Sequence, residues 1–129
     1  IFIGTFQLYF FLYRFLFRWK HAAALRAAGL AAERTMKTAW DNAYNQVMQS
    51  GKTPLQAAQT AINTVSAGQD ALKVWDDAYK EALKVGNTPY ASERIASAAA
   101  RSYVVAKAVA EAQEKARGEA HEIRMMAFK

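Results

Sequence analysis

One fifteen-residue segment of this chain occurs twice in related form. WDNAYNQVMQSGKTP, from Trp40 to Pro54, returns as WDDAYKEALKVGNTP, from Trp75 to Pro89, at an offset of 35 residues. Trp, Asp, Ala, Tyr, Gly, Thr and Pro coincide, seven matches that include both prolines and two of the three tryptophans. A repeat of this period is the mark of a helical hairpin unit that buries its apolar face only by packing on its copy. The chain is therefore expected to be built from paired helices.

The residues of each copy say where the helices stop and start. Gly51 and Gly86 suit the left-handed position that closes a helix, a backbone conformation that disfavours any side chain. Thr53 and Thr88 suit the N-cap of the next helix, and Pro54 and Pro89 its first turn, where a missing N–H removes no hydrogen bond. Gln56 stands three residues after Thr53 and completes a capping box; Ala91 holds the matching place after Thr88 and cannot. Each G-x-T-P thus reads as stop, tight turn and start, and the chain is expected to reverse twice.

Between these turns the composition favours helix. Ala dominates, only six Gly and two Pro interrupt the chain, and β-branched residues never alternate over a strand's length. The fold class is all-α, with a duplicated antiparallel hairpin of three long helices. The first runs from the N-terminal segment to about Ser50, loosened near Gly29. The second is expected from Pro54 to about Val85. Leu55, Ala58, Ile62, Val65, Gln69, Leu72 and Tyr79, with Trp75 standing in at Asp76, keep a 3-4 spacing straight through Gly68, which predicts one continuous helix, bent at most. The third runs from Pro89 to about Met125, with its seam at Ile95, Ala98, Ser102, Val105, Val109, Ala112 and Ala116, and with fraying near Gly118.

The N-terminal segment, IFIGTFQLYFFLYRFLFRW, carries no charge before Arg14. A spanning helix needs about 20 mostly apolar residues. A chain that opens on Ile1 rather than Met is expected to be a processed or truncated product, so that apolar residues precede it, and an arginine near a helix end can snorkel to the headgroups. Trp19 and Tyr13 beside Arg18, Lys20 and His21 form an aromatic and basic belt. On a helix Gly4, Gln7, Phe11, Arg14, Arg18 and His21 share one face, which lipid tails would not cover. Residues 1–21 are accordingly expected to be a transmembrane or membrane-interface helix, and residues 22–129 a helical module. A single span with a partner-facing stripe is the leading expectation; a helix lying in the membrane plane is the alternative. A signal sequence fits less well, because its basic residues precede the apolar run. The basic residues after the run place the module on the matrix or stromal side by the positive-inside rule.

The formal charge of +6 divides unevenly, with +3 from Arg14, Arg18 and Lys20 and the other +3 spread over 14 basic and 11 acidic residues. The module therefore has a mixed-charge surface, not a nucleic-acid stripe. The absence of Cys excludes disulfides, thiolate nucleophiles and Cys-based metal sites. Trp40, Tyr44, Trp75 and Tyr79 are expected to form the repeat core, a pigment contact being the alternative reading. Asp41, Asp76 and Asp77 are read as surface or helix–helix groups, and His21 and His121 as solvated. Met125, Met126 and Phe128 form a candidate docking tip. No triad, phosphate loop or dinucleotide fingerprint occurs.

The expected function is that of a non-catalytic accessory or structural subunit of a large membrane complex in an energy-converting organelle: a respiratory complex, an ATP synthase or a photosystem. Its partners would be other membrane subunits and lipid, with no nucleic acid and no small-molecule substrate. Partner or headgroup contacts fall to Gln7, Arg14, Arg18, Lys20 and His21. No cofactor is required, and a bound anionic lipid or a pigment is compatible with the aromatic helix. Localisation would be the mitochondrial inner membrane or the thylakoid. Two alternatives are a peripheral-stalk-like subunit of a rotary ATP synthase, which the two reversals disfavour, and a pigment- or lipid-binding light-harvesting accessory protein.

Overall fold

The structure, a computed structural model, describes residues 2–65 and 67–127. These form four helices, α1 (Phe2–Gln49), α2 (Pro54–Thr64), α3 (Gly68–Lys84) and α4 (Pro89–Ala127), with no strand among the described residues. α1 is a single helix of 48 residues, about 72 Å long at 1.5 Å per residue.

Both G-x-T-P segments are turns. Thr53 Oγ1 accepts the Gln56 N–H at 3.3 Å while Gln56 Oε1 accepts the Thr53 N–H at 3.2 Å, a complete capping box. Thr88 Oγ1 accepts the Ala91 N–H at 3.2 Å without a return bond, because Ala91 has nothing to return it with. Gly51 and Gly86 take φ of 82° and 95°. At the second copy the Asn87 N–H closes on the Ala82 carbonyl at 3.1 Å and the Gly86 N–H on the Leu83 carbonyl at 3.0 Å, so the orphan carbonyls at the end of α3 are satisfied.

The expected continuous helix from Pro54 to Val85 is two helices. α2 stops at Thr64, the Ala67 N–H bonds back to the Ile62 carbonyl at 3.1 Å, and Gly68 opens α3 with φ at 72°. The break is a reversal and not a bend. Pro54 and Trp75 both meet the hydroxyl of Ser97, whereas one straight helix would hold them about 31 Å apart. Val65 and Ala67 meanwhile lie beside Val104, Lys107 and Ala108. The chain therefore turns three times, and the helices run alternately down and up. The apolar spacing crosses Gly68 in phase because α2 and α3 each present a stripe to the same core; periodicity records the facing and not the direction of travel.

α4 is the central helix and packs against all three others, while α1 and α3 do not meet among the described residues. The core holds Trp40, Ala58, Ala61, Ile62, Ala71, Trp75, Ala96, Ala100 and Val104. Ala57 and Ser92, and likewise Ala61 and Ala96, are repeat mates 35 residues apart and all 0% exposed. Small residues at these places let α2 and α4 approach their neighbours closely enough to enclose the two indole rings.

The expected α4 seam is correct only in its second half. Ile95, Ala98 and Ser102 are exposed, and Ser92, Ala96, Ser97, Ala100 and Val104 are buried instead. Three helices surround the first half of α4 and pull the buried face round toward α2 and α3. Beyond Val105 the covering helix is α1, and Val105, Val109, Ala112 and Ala116 turn to it. Neither expected weak point in the long helices interrupts them. α4 runs through Gly118. Gly29 is buried inside α1, where an added Cβ would stand 2.9 Å from Gln113 Nε2 and 3.3 Å from Val109 Cγ1; the glycine serves close approach to α4 and loosens nothing.

Candidate functional site

The most exposed apolar surface belongs to the first part of α1. Every residue from Gln7 to Lys20 is exposed, and the large side chains among them range from 42% for Phe17 to 76% for Phe11. A helix that presents aromatic side chains all round is ordinarily covered by other molecules, since water is a poor solvent for every face of it. The aromatic run is helical because nothing in it breaks helix and because it continues the same hydrogen-bond ladder that packs on the bundle farther along.

Gln7, Phe11, Arg14 and Arg18 lie within an arc of about 60° on this helix, taking 100° per residue. Lys20 falls on the other side, and His21 is half-buried where the bundle begins. The Arg14 guanidinium sits 6.0 Å from the centroid of the Phe10 ring, within cation–π range. The expected span finds no support here. Among the described residues no helix is long and apolar enough to cross a membrane. Gln7, Tyr9, Tyr13, Arg14 and Arg18 all interrupt the run, and a charge within hydrocarbon is costly. A span is thus without support among the described residues, and the positive-inside rule, which presumes one, assigns no side to the module.

α4 brings a second apolar surface to the same end of the molecule. Gly29 meets Gln113, and Asp41 meets Arg101, so the two helices run antiparallel with residue numbers that sum to about 142 at each level. Continued at that register, His121 stands level with His21, and Met126 with Leu16. Ile123, Met125 and Met126 are 68%, 57% and 73% exposed. The candidate docking tip and the aromatic run, a hundred residues apart in sequence, thus share one end; Phe128, expected in the tip, lies outside the described residues. The two histidines are brought to one level but form no metal site: among the described residues no group of three His, Asp or Glu is placed to hold an ion.

The other end carries the duplicated turns, with Gly51, Thr53 and Pro54 beside α1, and Gly86, Thr88 and Pro89 beside α3. Trp40 and Trp75 are buried at 2% and 4%, with Tyr44 and Tyr79 half-buried against the same cluster. Trp75 stacks on Tyr79 at 5.1 Å between centroids and 12° between planes, and donates its indole N–H to Ser97 Oγ at 3.1 Å.

Ser97 and Arg101 are the residues sequence reasoning missed. Ser97 Oγ lies 2.8 Å from the Glu93 carbonyl and 3.4 Å from the Pro54 carbonyl, so one hydroxyl touches α2, α3 and α4. Arg101 Nε and Nη2 each donate to Asp41 at 2.9 Å, a fork that ties α4 to α1. Neither residue has a like mate, since the positions 35 before them are Ile62 and Ser66; a search by repeat could not raise them. Along α1, Lys37 Nζ donates to Glu33 at 2.6 Å. That hydrogen bond first, and the lysine charge second, hold the Glu33 carboxyl below the ordinary carboxylate range, so the pair persists until pH falls through that lowered value.

Comparison with protein-family models, with characterised proteins and with solved structures finds no match to this chain. The functional reading therefore rests on its own surfaces.

Proposed function

We propose that this protein is a non-catalytic, membrane-associated scaffold subunit. The apolar end formed by α1 and the tip of α4 docks at a membrane interface against lipid and neighbouring membrane subunits, and the four-helix bundle is held out in water as a brace. The observation that carries this reading is the meeting of two exposed apolar surfaces, Leu8 to Trp19 and Ile123 to Met126, at one end of a bundle whose remaining surface is of mixed charge. Aromatic rings beside arginine and lysine are the side chains that favour the headgroup layer, apolar body inward and polar tip outward. Arg14, Arg18 and Lys20 would each add about 1 kcal/mol of attraction to an anionic surface.

An in-plane or partner-covered α1 suits the polar stripe of Gln7, Arg14 and Arg18 better than a span does. Analogy of form with the small helical accessory subunits of respiratory and photosynthetic complexes supports an energy-converting membrane as the host. The pigment-binding alternative has the aromatic run as its support, and an absorbance spectrum of the protein as extracted separates it.

The test is sedimentation of the full chain with vesicles of zwitterionic lipid alone and with added anionic lipid. Binding is expected to be stronger to the anionic vesicles and to weaken in the Arg14→Gln, Arg18→Gln, Lys20→Gln variant. Native-gel separation of mild-detergent extracts then identifies the host assembly. A chain that stays in the supernatant with every vesicle and migrates alone would defeat the proposal.

A further inference from the structure

A second periodicity runs along α1, on the side turned away from the bundle. From Tyr9 the steps alternate four and three residues, through Tyr13, Leu16 and Lys20 and on to Ala23, Ala27, Leu30 and Arg34. A spacing of 3.5 is that of a coiled-coil seam, and it holds here for nearly four heptads. At 100° per residue the stripe centres about 150° round the helix from Gly29, where α1 meets α4. Every residue of the stripe is exposed, and Tyr9, Tyr13, Leu16 and Leu30 are 50% to 73% so. None of the bundle's own helices covers it among the described residues.

The stripe differs from end to end. Its first half is bulky, its second half is mostly small, and each half carries one cation, Lys20 or Arg34. A parallel copy would set Lys20 on Lys20 and Arg34 on Arg34, both like-charge contacts. An antiparallel copy, related by a two-fold axis between His21 and Ala22, opposes neither pair. It brings Leu16 level with Ala27 and Lys20 level with Ala23, a large side chain over a small one each time, while Tyr13 meets Leu30. Arg34 has no ion pair among the described residues, and it comes level with the Tyr9 ring, a cation against an aromatic face. The Lys20 stem crosses Ala23 and carries its ammonium to the solvent edge.

From this pattern we infer that α1 pairs with α1 of a second copy, antiparallel, along the stripe from Tyr9 to Arg34. The interface is isologous, so each contact made on one side of the axis is made again on the other. At 1.5 Å per residue the paired length is about 38 Å. With aromatic side chains supplying roughly 150–250 Å² each and the alanines far less, the pair covers about 600–700 Å² per copy, at the lower edge of specific interfaces. The two bundles come to opposite ends of the pair with each α4 on the outer side, so neither obstructs the approach. Phe10, Phe11 and Phe15 lie off the stripe, so pairing and membrane docking use different faces of α1, and neither depends on the other.

The chain has no cysteine, so single cysteines report the register directly. Full-length Leu16→Cys and Ala27→Cys chains, one of them tagged to differ in size, are mixed in mild nonionic detergent, gently oxidised and run on a non-reducing gel. The mixed disulfide is expected to dominate over either like-with-like product. Sedimentation equilibrium then follows dimerisation of the chains without cysteine. Ala27→Glu sets a carboxylate against Leu16 and is expected to weaken the dimer roughly tenfold at each of its two sites. Ala23→Glu sets the same group beside Lys20 and is expected to leave the dimer as tight or tighter, whereas in a parallel pair it would oppose itself. Both positions are exposed on a helix, so neither change disturbs the core. A chain that is monomeric at every concentration, a predominance of like-with-like disulfides, or loss of the dimer in Ala23→Glu overturns the inference. Vesicle sedimentation of the same chains keeps membrane docking apart, since a monomer that still binds anionic vesicles defeats the pairing alone.

Discussion

Trp75 and Ser97 are joined by an indole-to-hydroxyl hydrogen bond of 3.1 Å that closes α3 onto α4 in the core. It is one of two buried serines on the same helix. Ser97 has partners in three helices, whereas Ser92, 0% exposed, has a hydroxyl with none.

The two serines should therefore respond oppositely to the same substitution. Ser97→Ala strands the Trp75 N–H in an apolar setting and is expected to cost about 1–3 kcal/mol. Ser92→Ala removes a polar atom that has no compensating bond and should be neutral or stabilising by up to about 1 kcal/mol. Urea unfolding followed by circular dichroism reads both. Equal midpoints for the two variants would mean that the indole bond contributes nothing to stability.

Gly68 decides between a corner and a continuous helix. At its φ of 72° an alanine is strained, and nothing lies within 4 Å of an added Cβ, so the cost is conformational alone. Gly68→Ala is expected to destabilise by about 1–2 kcal/mol, with Gly68→Asn milder because Asn tolerates the left-handed region. Were the chain one helix from Pro54 to Val85, the same alanine would stabilise by about 0.5–1 kcal/mol. The sign of the change in urea midpoint separates the two folds.

What could be read from the sequence was whatever is written locally. The turns at Gly51 and Gly86, the capping box of Thr53 and Gln56 and the lone cap at Thr88 each depend on residues within five positions of one another, and spacing reveals them. The corner at Val65 to Gly68 has no proline or threonine cap, so its signal was a single glycine, outweighed by an apolar stripe that stays in phase across it. The α4 seam was misplaced because its first half is faced by three helices, and a single-stripe template cannot represent that. Ser97 and Arg101 act across 22 and 60 residues, and their partners emerge only once the hairpins are folded. For the apolar end the chain showed two separate features, the aromatic run and the methionine tip; that they meet follows from the α1–α4 register.

That register can be tested at Gly29. An added Cβ there approaches the far end of the Gln113 side chain, which can move, and stands 3.3 Å from Val109 Cγ1, which must yield a few tenths of an ångström, so Gly29→Ala should be close to neutral, its gain of about 0.5–1 kcal/mol in helix propensity offset by that contact. Gly29→Leu has no such room against Val109 and is expected to cost about 1–3 kcal/mol, as overpacking does. Shortening the neighbour in Gly29→Leu, Gln113→Ala should recover part of the loss. A leucine accepted without cost, and no coupling to Gln113, would place α4 elsewhere.

Membrane docking has a built-in reporter, because the three tryptophans occupy different settings. Trp19 is 63% exposed on α1, and Trp40 and Trp75 are 2% and 4% exposed in the core. In water Trp19 should contribute the red edge of the emission, and its quenching by iodide should exceed that of the other two. On anionic vesicles Trp19 is expected to shift to the blue, to escape iodide and to become quenchable by lipids brominated near the headgroup end of the chain, since an indole at the interface sits at that depth. Trp19→Phe should abolish these changes without altering the unfolding curve, because the core rings are untouched. Quenching that is strongest from bromines at the bilayer centre would instead mean that α1 enters the hydrocarbon deeply. An emission spectrum indifferent to lipid would leave the aromatic run to a protein partner, which only the native assembly could then provide.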